Sequence, residues 1–215
     1  MPHGGDDLPQ GYPTPPHPWL YSRRLIEATE AALVMHAAQV RKGSEVPYAS
    51  HLFGTCSIAL DYGANEDEAI AALLHDAIED VHYAPGARAT VAAFGPEVLR
   101  IVEACTDAHT YPKPPWKARK TAYIEHLADA DRSVLLVSAS DKLHNARSMA
   151  MDHRRVGAAL WGRFKASKDE TLWNYRALVT AFRANPAHPG ELVDELDRTV
   201  TELERLAATE KGAQA

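Results

Sequence analysis

Residues 65 to 80, NEDEAIAALLHDAIED, begin with a helix start signal and continue as an alanine- and leucine-rich run that closes on a histidine and three carboxylates. Asn65 is a strong N-cap residue, and Glu68, three positions on, can reach back to the cap's own N–H, so the two form a capping box. Ala69 to Leu74 then make a packing segment, which needs neighbours to cover it. The rest of the chain supplies them in the same form. SRRLIEATEAALVMHAAQVRKG, with Ser22 as N-cap and Gly43 beyond its end, predicts a first long helix; HLFGTCSIALDY, capped by Ser50 and stopped at Gly63, predicts a second. Helical spacing recurs in TVAAFG, PEVLRIVEACTD, WKARKTAYIEHLAD, RSVLLVSASDKLHNARSM, KDETLWNYRALVTAFRA and GELVDELDRTVTELERLA. SVLLVSA carries β-branched residues that suit a strand, but its pattern runs well past strand length, so helix is expected. The expectation is an all-α, single-domain bundle of about eight to ten helices.

At 215 residues nothing forces a second domain. Residues 1–20 are too rich in Pro and Gly to hold a helix and are expected to form a flexible leader, with His3 and His17 solvated. The folded domain is expected over 21–208 and a flexible tail over 209–215. No apolar run approaches the length of a membrane span, and MPHGGDDLPQ lacks the basic-then-apolar pattern of a secretory signal, so a cytoplasmic protein without a membrane partner is expected. The formal charge of −6 argues against a nucleic-acid partner, since phosphate neutralisation needs a basic excess. A small anionic ligand could still use a local basic cluster. Cys56 and Cys105 sit among apolar helical residues with no CxxC pattern and read as buried reduced thiols.

The polar end of the 65–80 segment asks for chemistry. His75 and Glu79 are four apart, as are Asp76 and Asp80, so on a helix the two pairs lie on adjacent stripes and can face one cavity. A solvated helix end is the plainer alternative, but Leu73, Leu74 and Ile78 embed these groups in packing residues. Unpaired carboxylates are costly to bury, and a bound cation is one way to stabilise them. Two other polar residues are equally out of keeping with their surroundings: His51, after the Pro47-Tyr48 connection, and Asp141, directly after an apolar stretch. His51, His75, Asp76 and Asp141 make a two-imidazole, two-carboxylate set that suits Mn, Fe or Zn and leaves positions open for water or substrate.

AAQVRK followed by PYASH, then ALLHDAIED, FGPEVLRIVEACTD and SDKLHNARSM resemble, in order and spacing, the hydrolase domain of RelA/SpoT-type alarmone enzymes and the stand-alone small alarmone hydrolases. The resemblance covers about residues 25 to 185. It implies a helical HD-domain fold, one divalent ion (Mn2+) on the residues matching His51, His75, Asp76 and Asp141, and catalytic acids matching Glu79 and Asp80. It also implies nucleotide contacts from Arg41, Lys42 and Asn145, and removal of the 3′-pyrophosphate from ppGpp or pppGpp. The sequence departs from the family pattern at Leu52, Ala38, Ala77 and Val81, which alter the cavity wall but none of the proposed ligands or acids. Other open readings are hydrolysis of ppApp, hydrolysis of the 2′-phosphate of NADPH, and a sensor that binds an alarmone without turning it over.

Several further residues remain. Lys142, His144 and Arg147 follow Asp141, and one or more could neutralise pyrophosphate, a solvated helix face being the alternative. Arg41 and Lys42 are expected at the end of the first helix, where they would also complement its dipole. His36 is expected in the core, with a supporting role behind the site as the alternative. Lys117, Arg119 and Lys120 beside Trp116 could form a phosphate or base platform. His82, His109, His126, His153 and His188 are expected near the surface. Trp173, Tyr175, Leu178 and Phe182 read as core or as the face of a homo-oligomer.

Overall fold

The computed structural model describes residues 22–81, 86–110 and 112–209; the leader with His3 and His17, His82, and the tail beyond Thr209 lie outside the described residues. The helices are α1 (Arg23–Met35), α2 (Ala49–Asp61), α3 (Glu66–Leu74), α4 (Ala77–Asp80), α5 (Ala87–Ala92), α6 (Pro96–Cys105), α7 (Trp116–His126), α8 (Arg132–Val156), α9 (Lys168–Ala184) and α10 (Gly190–Thr209). Among the described residues there is no strand, only an isolated antiparallel bridge between Val40 and Pro47.

The fold is built around α8. In its first half, including the stretch that could have suited a strand, every residue from 134 to 141 is buried, so the helix is enclosed on all sides there. Asp131 caps it by accepting from Val134 N at 3.1 Å, and Leu135, Leu136, Ala139 and Leu143 are fully buried. Burying each of these leucines is worth about 1.5–3 kcal/mol. Helices α2, α3, α6 and α10 pack against it. Helix α10 supplies a stripe of Leu192, Leu196, Val200 and Leu203, residues spaced three and four apart on one face.

Three local departures from simple helical spacing shape the site. The first helix stops at Met35, eight residues before Gly43. Beyond it the His36 ring bonds Gln39 Oε1 at 2.7 Å, and the chain folds back so that Arg41 N and Tyr48 N donate to Val46 O and Gln39 O. Arg41 and Lys42 therefore sit in this hairpin-like connection and not on α1. Its Gly43 has φ +70°, and a β-carbon there would overlap the Arg163 side chain. Second, α2 starts at Ala49 with Tyr48 as its cap residue, so Ser50 is inside the helix. Third, the 65–80 segment is not continuous. The capping box forms as expected, with Glu68 N donating to Asn65 Oδ1 at 3.0 Å and Asn65 N to Glu68 Oε2 at 2.8 Å. The helix then breaks at His75 and Asp76. The His75 ring takes up the Ala72 carbonyl at 2.9 Å, which an unbroken helix would offer to the N–H of residue 76.

Candidate metal centre and active site

Helices α2 and α8 and the α3–α4 break converge on one buried cluster. His51 comes from the first turn of α2, His75 and Asp76 from the break, and Asp141 from the middle of α8. His51 Nε2 is 3.2 Å from His75 Nε2 and 3.2 Å from Asp141 Oδ1. Asp76 Oδ2 is 3.0 Å from His75 Nε2 and 3.4 Å from His51 Nε2. Ligand atoms of His51, His75 and Asp141 all lie within 4.8 Å of one another.

The chemistry of this donor set fits a divalent cation. The outer nitrogen of His75 donates to a carbonyl, so its Nε2 lone pair faces inward. The buried Asp141 and the partly buried Asp76 bring two negative charges to the cluster, a balance that a divalent ion neutralises. Burial opposes charging of His75, yet Asp76 and Asp141 outweigh it and hold its pKa well above the ordinary value. Burial likewise opposes ionisation of Asp76 and Asp141; His75 and His51 reverse this for Asp76, as Lys142 and the two imidazoles do for Asp141, and both end well below the usual range. A pocket that holds positive charge this strongly as a proton can hold it as a metal.

Behind these groups stands a ring of partners. Lys142 is ion-paired with the outer oxygen of Asp141, Oδ2, and its ammonium lies 5.1 Å from the centre of the Tyr123 ring. It is therefore a partner of the carboxylate, where a substrate contact was expected. Asn145 Nδ2 donates to Asp141 Oδ1, and Arg41 donates to Asn145 Oδ1 at 2.7 Å. The Tyr48 hydroxyl donates to Asp76 Oδ2 at 2.5 Å, and burial, then Asp76 and Asp80, push its pKa far up, so it stays a donor. His36 is buried and stacks on Tyr48 at 5.1 Å between centroids. Through Gln39, whose amide donates to Asp80 Oδ2 at 3.1 Å, it joins the site from behind.

One turn beyond the cluster the surroundings change. Glu79 Oε1 accepts from Lys113 Nζ at 2.8 Å, and Lys113 also reaches Asp80 Oδ1 at 3.4 Å. The Asp107 N–H points at Glu79 Oε2 at 3.4 Å, and the Asp107 carboxylate is ion-paired with Arg119 and with Lys120, the latter at 2.5 Å. Burial raises the pKa of Glu79, and the neighbouring Asp107 raises it further. Asp107 moves the other way: burial is outweighed by Lys120, by Glu79 and by Arg119, and its pKa falls well below the ordinary value. When the pair carries a proton, Glu79 holds it.

The structure thus joins His51, His75, Asp76, Asp141, Glu79, Asp80, Arg41, Lys142 and Asn145 in one connected polar cluster. It does not bring Arg147, which pairs with Glu195 of α10 at 3.1 Å on the outer face. Six residues from Asp141, Arg147 is turned about 240° around the helix, so it leaves the site side. Lys42 is exposed on the hairpin-like connection. His153, expected at the surface, is buried beside Trp161 at 5.8 Å between centroids, while His109 and His126 are exposed. Trp116 packs edge-on against Trp173 at 6.3 Å, and the Lys117 ammonium covers the Trp173 ring. Both cysteines are free; Cys56 is buried and Cys105 partly so, and burial lifts their thiols to about 11 and about 12. Tyr48, Lys113 and Asp107 are additions that spacing did not reveal. No helix among the described residues is long and apolar enough to cross a membrane.

The HD-domain profile matches residues 28–169. The chain is 36% identical over 128 residues to the Xenopus tropicalis protein named guanosine-3′,5′-bis(diphosphate) 3′-pyrophosphohydrolase MESH1, covering 58% of this chain and 69% of that one. It is 34% identical over 129 residues to the Homo sapiens protein of the same name, covering 59% and 69%. A solved structure described with the words "A metazoan ortholog of SpoT hydrolyzes ppGpp and plays a role in starvation responses" superposes with a TM-score of 0.67 at 27% identity, over 82% of this chain and 95% of that one.

Proposed function

This chain belongs to the HD-domain family, and from that premise we propose that it is a metal-dependent hydrolase that removes the 3′-pyrophosphate of ppGpp and pppGpp, giving GDP or GTP and pyrophosphate. The observation that carries the reading is the convergence of two imidazoles and two carboxylates with a second carboxylate pair, Glu79 and Asp80, one turn away. The named activity of the relatives supports the substrate. In this reading His51, His75, Asp76 and Asp141 hold the ion, proposed to be Mn2+, and the protein works in the cytoplasm. A divalent ion bound by them supplies Lewis acidity toward a phosphoryl oxygen and toward water.

The chain's own groups then divide the remaining work. Glu79 takes a proton from the attacking water as the new O–P bond forms at the phosphorus nearest the ribose; the 3′-oxygen leaves and takes up a proton, and pyrophosphate departs. Lys113 bridges Glu79 and Asp80, and by opposing protonation of Glu79 it keeps that group able to accept the proton. Asp80, fixed by Gln39, orients the water. Arg41 and Asn145, already joined to each other, face the nucleoside, with Lys42 free to meet its 5′-phosphates.

The test is product analysis of the purified, Mn2+-loaded protein with ppGpp, ppApp and NADPH side by side, with an Asp76→Ala control. Metal-dependent pyrophosphate release from ppGpp, absent in the control, is the expected result. Turnover of ppApp or NADPH alone would replace the substrate; binding of ppGpp without turnover would make the protein a sensor.

A further inference from the structure

We infer that His144 is a positioning residue that sets the orientation and tautomer of His51, an assignment that rests on the metal-binding reading above. His51 and His144 face each other through their Nδ1 atoms at 2.9 Å, with ring centroids 4.9 Å apart. Two Nδ1 atoms bond only if one carries the proton. With His51 Nε2 turned into the cluster as a lone-pair donor, the proton belongs on His51 Nδ1, and His144 Nδ1 accepts it. His75 solves the same problem with a backbone carbonyl. Carbonyls and carboxylates are the common supports behind a ligating imidazole; a second imidazole is a neutral acceptor that adds no negative charge to the ligand.

A second observation shows that the contact is built into both helices. His144 follows Asp141 by three residues on α8, so one face of that helix offers a ligand and then a support for another ligand. Gly54 follows His51 by three residues on α2, and a β-carbon at Gly54 would overlap His144 Cδ2 and Nε2. Glycine is unfavourable inside a helix, yet here no other residue leaves room for the ring. Gly54 is thus the seat of His144, and the pair holds His51 from the side away from the cluster.

The test measures Mn2+ affinity by titration calorimetry on the full chain, for wild type and for His144→Phe, His144→Gln and Gly54→Ala, with thermal melting in EDTA as a check on folding. Loss of a support behind a metal ligand typically weakens affinity about 10–100-fold. The Phe variant keeps the ring packing and loses the acceptor, so that weakening is expected at an unchanged melting temperature in EDTA. The Gln variant offers an acceptor oxygen and should recover most of the affinity, whereas Gly54→Ala should weaken it by pushing the ring away. In wild type loaded with diamagnetic Zn2+, nitrogen–proton correlation spectra should show a proton on His51 Nδ1 and none on His144 Nδ1; this measurement needs no variant. Equal Mn2+ affinity in wild type and the Phe variant, or a protonated His144 Nδ1, would overturn the assignment. Failure of wild type itself to bind Mn2+ would remove the metal set and this inference together.

Discussion

Asp76 and Glu79 lie three residues apart, yet their surroundings drive them in opposite directions. Asp76 meets two imidazoles and a tyrosine hydroxyl, and its pKa falls despite burial. Glu79 is pushed up first by burial and then by another carboxylate, that of Asp107, and its pKa rises even though Lys113 partly offsets the effect. One carboxylate is built to stay charged and attract a cation; the other is built to exchange a proton. The break at His75 and Asp76 makes this possible, because it separates the cluster side from the side lined by Lys113, Arg119 and Lys120.

The largest effect is expected from removing the charged member. Asp76→Ala should abolish stoichiometric Mn2+ binding and reduce turnover to background, read by calorimetry and pyrophosphate release; retained binding would take Asp76 out of the ligand set. Next comes Asp107→Asn, which leaves the largely buried Lys120 without its carboxylate, while Arg119 keeps Glu79 at 3.6 Å. Breaking such a pair costs about 3–5 kcal/mol, measured by denaturant unfolding near neutral pH. The sign of its pH dependence follows from the lowered pKa: the contribution of Asp107 is fully present above the ordinary aspartate value and is lost as pH falls toward the native one. The difference between wild type and variant should therefore shrink only in acid.

A smaller change should appear in Lys113→Met. Glu79 must be ionised to accept a proton, so kcat falls as pH drops through its raised pKa. Removing the lysine that opposes protonation should move this acid limb to higher pH. An unmoved limb would mean that Glu79 does not govern it. The smallest effect belongs to the distant start of the same segment: Asn65→Ala should cost about 1 kcal/mol of stability and leave kcat unchanged, because it removes only the helix cap.

Much of this was legible in the sequence for a physical reason. Asn65 and Glu68 act through local hydrogen bonds, and Asp141 is conspicuous because a carboxylate interrupts an apolar run. The end of α1 was not legible, since apolar spacing continues past Met35 while the His36–Gln39 bond and the Val40–Pro47 bridge turn the chain. The break at His75 depends on one side chain capturing the Ala72 carbonyl, which periodicity cannot register. Arg147 looked like a site residue by proximity in sequence, but helical rotation sends it to Glu195. Lys113 and Asp107 lie in or beside a Pro-containing connection without periodic pattern, and only the fold brings them to Glu79.

The measurement that bears most directly on this division of labour is single-turnover pyrophosphate release from ppGpp by wild type and Glu79→Gln, both loaded with Mn2+ and matched for occupancy. The account predicts equal occupancy and a rate about 10²–10⁴-fold lower in the variant. Equal rates, or loss of Mn2+ from the Glu79→Gln protein, would contradict it.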